Sequence, residues 1–174
     1  MISATMQDSI NEQINKELFS SYLYLSMAAF FEEKSLPGFA HWMHIQAGEE
    51  REHAMKFYQH LVDRGGRVLL KAIDAPQTDW ESNLAVFKDA QAHEAKVTKS
   101  IYDLYEQALK ERDFPAQVLL QWFITEQVEE EKNAADIVHQ LGLIDARGTA
   151  VLMLDHQLGK RSAEGDGGEE DDDD

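Results

Sequence analysis

The 174-residue chain has no cysteine, three prolines and no apolar run of membrane-spanning length. The first absence excludes a disulfide framework and any metal site built on thiolates. Scarce proline and few β-branched runs leave long segments of Ala, Leu, Glu, Gln, Lys and Met, which favour helix. The start, Met1-Ile2-Ser3-Ala4-Thr5, lacks the basic and apolar regions of a secretory signal, and nothing further on would span a bilayer. Positive charge is also short. The 16 Lys and Arg face 33 Asp and Glu, and the formal net charge of −17 speaks against nucleic-acid binding. A soluble, cytoplasmic protein with no nucleic-acid or membrane partner is expected.

What is present is enough for a core. Hydrophobic residues make up 43% of the chain, so it should fold, and its length fits one domain. Residues 1–163 carry the helical patterns. Residues 164–174 hold eight acids and no base, and are expected to form a disordered acidic tail.

Four long helices and a short fifth are expected. The first runs from about Gln7 to Lys34, with a stripe of Ile10, Ile14, Leu18, Ser21, Leu25 and Ala28 and with Glu17 and Tyr24 near it. Ser35-Leu36-Pro37-Gly38 breaks it, and so short a connection makes the first two helices antiparallel. The second carries Phe39, Met43, Ala47, Glu50, His53, Ala54, Phe57 and Leu61 on one face and stops near Gly65-Gly66. A linker from Gly66 to Trp80 is long enough to travel the length of a bundle, and its Val68, Leu69, Leu70 and Ile73 should pack along the outside. The third helix covers about Glu81 to Arg112, with Thr78 and Glu81 at capping-box spacing and a stripe of Leu84, Phe87, Ala90, Glu94, Val97, Ile101, Leu104 and Ala108. Asp113 caps the fourth, which ends near Gly142 and presents Leu120, Phe123, Gln127, Glu130, Ala134, Ile137 and Leu141. Residues 147–160 read as the fifth helix, with Val151, Leu152, Leu154 and Leu158 docking on the bundle or on other subunits.

Polar residues interrupt these apolar faces at one level. Glu17, Glu50, His53, Glu94, Gln127 and Glu130 lie where hydrocarbon is expected, and a buried carboxylate is tolerated only with a partner cation or a metal. On the second helix alone, a Glu50–His53 pair kept for packing and a metal site fit equally well. Taken together, the six match the known layout of di-iron carboxylate bundles, one Glu from each of two helices and Glu-x-x-His from the others. The second half departs from it, with Gln127-x-x-Glu130 and no second histidine. Carboxylates with imidazole and no thiolate suit iron or manganese.

Over residues 7–160 the chain resembles the ferritins, specifically the haem-free bacterial type. The motifs that carry the likeness are Asn11-Glu12-Gln13, Glu17-Leu18, Ser20-Ser21-Tyr22 with Tyr24, Glu49-Glu50 with His53, His93-Glu94, and Gln121-Trp122-Phe123 running into Glu126-Gln127-Val128-Glu129-Glu130-Glu131-Lys132. The resemblance implies an all-α, ferritin-like four-helix bundle with one long crossover and a short C-terminal fifth helix. It implies a homo-oligomeric shell, of 24 subunits by family likeness, that oxidises Fe²⁺ with dioxygen or hydrogen peroxide and stores the Fe³⁺ mineral. Glu17, Glu50 and His53 would hold one iron, and Glu50 would bridge to a second completed by Glu94 and Glu130, with Gln127 beside the pair. Tyr24 resembles the family's redox-active tyrosine; the alternative is a packed tyrosine with its hydroxyl satisfied. Glu49, Glu126 and Glu129, with Glu130, resemble a third iron site; the alternative is a solvated charged face. In bacterioferritins a methionine after the bridging Glu ligates haem. Here that position is Arg51, so no haem is expected.

Three other readings compete. A shell-less di-iron oxidase or peroxidase of the rubrerythrin kind is disfavoured by the fifth helix and by the absence of a Cys-rich domain. A magnesium-dependent nucleotide hydrolase is disfavoured by His53 among the ligands. A helical interaction module does not account for four mid-helix intrusions converging on one level.

Overall fold

Side-chain caps decide where most of the helices begin. In the computed structural model, which describes residues 2–144 and 148–162, Ser3 accepts from the Met6 amide and opens α1 (Ala4–Glu33). Ser82 does the same for Ala85 at the start of α3 (Asn83–Glu111), and Asp113 for Ala116 in α4 (Phe114–Leu143). The Thr78–Glu81 capping box is therefore not used, because Trp80 leaves the helical path to pack edge-on against Phe30. Nor does Gly142 stop α4, which runs one residue past it. The helix α2 (Pro37–Asp63) has proline in its first turn but no cap of its own. Its Phe39 amide is satisfied from elsewhere, by Asp155 of α5 (Gly148–Leu158) at 2.9 Å.

The crossover climbs α1 from bottom to top. Asn11 donates to the Arg67 carbonyl and accepts from the Leu69 amide, Lys71 pairs with Glu12, and Ser26 donates to the Gln77 carbonyl. With α1 and α2 antiparallel, that climb starts α3 at the same end as α2. Ser9–Gln107 and Ser20–His93 contacts confirm that α3 runs antiparallel to α1. The linker's hydrophobics behave differently from expectation. Val68 packs on the core, whereas Leu69, Leu70 and Ile73 stay exposed.

Helix faces follow the expected stripes on α2, α3 and α4. On α1 the stripe sits to one side of the buried face, because Leu18 and Leu25 fall about 60–80° around the helix from Ile10, away from Glu17 and Tyr24. The buried set there includes Met6, Ile10, Ile14, Glu17, Tyr24, Ala28 and Phe31, while Leu25 is exposed. The resulting core falls into two apolar blocks. The upper one centres on Phe31 stacked on Phe39, with Trp42, Phe87, Leu154 and Leu158. The lower one centres on Phe57 stacked on Phe123 at 4.1 Å, with Ile10, Ile101 and Leu120. Between them lies a polar waist.

The fifth helix matches expectation in position, with Leu154 and Leu158 buried and Leu152 and Met153 facing outward. Arg147 and the acidic segment 164–174 lie outside the described residues. Among the described residues no helix is long and apolar enough to cross a membrane.

The contact of α5 with α2 leaves no room for a side chain at Gly38, where a Cβ would stand 1.7 Å from the Asp155 carbonyl oxygen. Gly38→Ala should push α5 away, exposing Leu154 and Leu158 and stripping the Phe39 amide of its acceptor. The expected loss is about 1–3 kcal/mol of stability, read as a lower melting temperature with faster proteolysis after α5. Unchanged melting would mean that α5 docks loosely.

Candidate metal centre

Helical periodicity turns Glu17, Glu50, Glu94 and Glu130 into the waist, one from each long helix, and each is 4% exposed or less. Glu17, Glu50 and His53 each offer a ligand atom within 4.8 Å of the others, the one such trio among the described residues. His53 Nδ1 stands 3.7 Å from Glu50 Oε2, too far for a hydrogen bond. Trp122 and Phe123 hold the imidazole edge-on, at ring distances of 5.5 and 5.7 Å. Burial, with Lys56 nearby, pulls the His53 pKa down to about 4, so the ring is neutral and its lone pair is available to a cation.

The acids are held by neutral donors. Gln13 Nε2 donates to Glu17 Oε1 at 2.7 Å. Tyr24 donates its hydroxyl proton to Glu94 Oε1, and Gln127 Nε2 donates to Glu94 Oε2 at 3.2 Å and to Thr98 Oγ1 at 3.1 Å. Gln46 Nε2 donates to Glu130 Oε2 at 2.5 Å. Glu17 Oε2 and Glu50 Oε2 are buried and no amide or hydroxyl reaches them, while the two carboxyls lie within hydrogen-bond reach of one another, so a shared proton or a cation must satisfy them. Such oxygens are costly in a dry interior and are what a cation would satisfy.

Two of these amides are themselves oriented by cations. Lys16 donates to Ser100 Oγ, which donates to Gln13 Oε1, so the Gln13 amide must present its NH₂ to Glu17. Arg161 Nη1 donates to Gln46 Oε1, which fixes the Gln46 amide toward Glu130 in the same way.

Desolvation dominates the electrostatics. Burial raises Glu17 to about 7, even against the Gln13 hydrogen bond. Burial and the Glu94 and Glu49 charges raise Glu130 to about 8. Burial, then the Glu94 and Glu17 charges, raises Glu50, and burial raises Glu94. The Tyr24 phenol is pushed up by burial and by the surrounding acids, so it stays protonated and donates. A cluster of this kind retains protons near neutrality and exchanges them for metal.

All six waist residues expected from the sequence, and Tyr24, converge here. Gln127 meets Glu94 and Thr98 through its amide rather than joining the trio. Glu49 and Glu126 are half-buried beside the waist and Glu129 is exposed. Glu49 accepts from Arg161 Nη2 at 2.6 Å, and its charge acts on Glu130. His93 turns to Ser20 Oγ, 2.7 Å away, and packs edge-on against Tyr24. Sequence reading missed Gln46, Thr98 and Arg161. Gln46 lies on the inner face of α2 and was open to detection, whereas Arg161 lies beyond the last helical pattern.

A family profile described as a ferritin-like domain matches residues 7–144. The bacterial non-heme ferritin of Bacteroides fragilis is 41% identical over 161 residues, 92% of this chain and all of that one. That of Staphylococcus aureus is 36% identical over 162 residues, covering 93% and 98%. Among solved structures, an open pore ferritin from the hyperthermophilic archaeon Archaeoglobus fulgidus is 47% identical with a TM-score of 0.92, covering 93% of this chain and 100% of that one. An engineered closed form of the Archaeoglobus fulgidus ferritin superimposes equally well, at 0.92 over 94% and 99%. With a polar carboxylate waist among the five helices of the described residues, and matches to these proteins over 92–94% of its length, the chain belongs to the ferritin family.

Proposed function

We propose that this chain is the subunit of an iron-storage shell and that its waist is the ferroxidase centre. The observation that carries the reading is four buried carboxylates and a neutral imidazole at one level, with two carboxylate oxygens that no amide or hydroxyl reaches. Glu17, Glu50 and His53 take one Fe²⁺, and Glu50 bridges to a second held by Glu94 and Glu130. Each Fe²⁺ gives up one electron to dioxygen or hydrogen peroxide, which takes up protons as it is reduced. Tyr24 stands one hydrogen bond from Glu94, placed to pass on an electron while its proton moves to that carboxylate. Gln127 orients Glu94. Glu49, Glu126 and Glu129, together with Glu130, form a third and outer iron position. The rubrerythrin-like alternative has less support, because the matches are to ferritins over most of the chain.

Exposed apolar surface supports assembly into a homo-oligomeric shell, for which the family likeness implies 24 subunits. Tyr22 and Leu25 on α1, Leu69, Leu70 and Ile73 on the crossover, and Leu152 and Met153 on α5 all face outward. Deleting residues 147–174 should alter the particle seen by size-exclusion chromatography and lower iron retention, whereas deleting 164–174 should leave both unchanged. Normal particles after the longer deletion would remove α5 from the assembly.

Arg51 is exposed and offers no thioether to haem, so the protein isolated with excess haem should show no Soret band. A stoichiometric bis-methionine spectrum would contradict this.

The residues rank by what they touch. Glu50→Ala should nearly abolish the fast oxidation of the first two Fe²⁺ per subunit in stopped-flow absorbance, since it removes the bridging charge. His53→Ala and Glu17→Ala should slow the same phase strongly. Glu94→Ala and Glu130→Ala should leave binding at the first position but prevent pairing. Gln127→Ala, which loses only an orienting amide, should slow the phase by roughly tenfold. A normal fast phase in Glu50→Ala would rule out the assignment.

Metal-free stability should fall with rising pH. Glu17 and Glu130 titrate at about 7 and about 8 in the fold but start from 4.5, so between these values the folded state binds more protons than the unfolded one. Stability is therefore highest below about 4.5 as far as these groups are concerned, and their contribution is lost by about pH 8. The apo-protein should melt lower at pH 8 than at pH 6, and the Glu17→Gln, Glu130→Gln double variant should flatten that slope. A wild-type slope in the double variant would show that these acids are ionised in the apo-protein.

A further inference from the structure

Beyond the end of α5, one cation reaches both the outer acid Glu49 and the amide that orients Glu130. Arg161 Nη2 donates to Glu49 Oε2 at 2.6 Å, Nη1 donates to Gln46 Oε1 at 2.5 Å, and Gln46 passes a hydrogen bond on to Glu130. Its guanidinium lies 4.7 Å over the Trp42 ring, and His41 donates to its carbonyl oxygen at 2.8 Å. The side chain is one-fifth exposed and that of Glu49 one-tenth, so screening of the pair is weak. A planar fork with two partners and an aromatic floor is held in one place, as a lysine would not be.

We infer that Arg161 is a tethered counter-cation for the outer iron position, competing with a third metal ion for Glu49 while it holds Glu130 in line for the inner pair. This rests on the assignment of Glu49, Glu126 and Glu129 to that position. With two irons inside, Arg161 neutralises Glu49 and keeps the Gln46 amide turned toward Glu130. A third cation on the Glu49 carboxylate competes with the guanidinium, which holds its Oε2 oxygen, for the same negative charge. Displacing the guanidinium releases Gln46 and frees the end of the segment that follows α5. Filling of the outer position is thereby tied to the docking of α5 on α2, and the two inner ions bind ahead of the third.

Anaerobic calorimetric titration of the assembled full-length protein with Zn²⁺, which does not change oxidation state, tests this. Wild type should bind two ions tightly and a third weakly. Arg161→Gln should tighten the third step about tenfold, leave the first unchanged and weaken the inner step that uses Glu130, whose orienting amide is released; Arg161→Lys, which keeps the charge, should stay within a few-fold of wild type. Glu49→Gln should abolish the third step. Arg161→Met retains the stem against Trp42 and repeats the neutral variant if the glutamine form does not assemble. A third step present in wild type and unmoved by both neutral variants would overturn the role of Arg161 alone, as would a lysine variant that behaves like glutamine. Only two steps in every variant would overturn the outer position itself, and the competition with it.

Discussion

Everything in this subunit answers to the burial of four carboxylates at one level of a helical bundle. Desolvating even one ionised carboxylate costs several kcal/mol, and the donors that reach Glu17, Glu94 and Glu130 are neutral: Gln13, Tyr24 with Gln127, and Gln46. Their hydrogen bonds orient the oxygens without supplying the missing positive charge. Protons fill that role in the metal-free protein, which is why burial lifts Glu17, Glu50, Glu94 and Glu130 above the usual carboxylate range. On the proposed reading, divalent ions, neutralising two charges each, would take their place.

The fold works to keep that arrangement from relaxing. Aromatic blocks above and below close the waist to water and fix the axial level of each helix. The crossover makes α3 run beside α1 in the direction that brings Glu94 to Tyr24. Two polar chains, Lys16–Ser100–Gln13 on one side and Arg161–Gln46 on the other, set amide orientations that would otherwise flip freely. An acid on each side of the centre thus receives a donor of fixed sense, and a cation that stays near the surface sets it without entering the waist.

Much of this was legible in the sequence because periodicity and the site share one signal. A carboxylate in an apolar stripe declares itself on α2, α3 and α4, where the stripes match the buried faces. On α1 the apolar Leu18 and Leu25 draw the expected stripe to one side of the buried face, and Leu25, expected inward, faces out. Longer-range chemistry was not legible. Asp155 capping α2 from α5, and Arg161 reaching Gln46 and Glu49, depend on a docking that no local spacing encodes. The crossover hydrophobics misled for a related reason: an apolar residue on one subunit's surface reads the same as one in its core.

The central claim is that the waist exists to hold two cations bridged by Glu50. Anomalous diffraction from crystals loaded anaerobically with Fe²⁺, with data on both sides of the iron edge, tests it most directly. The account predicts two inner peaks per subunit, one among Glu17, Glu50 and His53 and one among Glu50, Glu94 and Glu130, with a Glu50 oxygen on each. Iron bound elsewhere, with the waist carboxylates still protonated and unmoved, would contradict it.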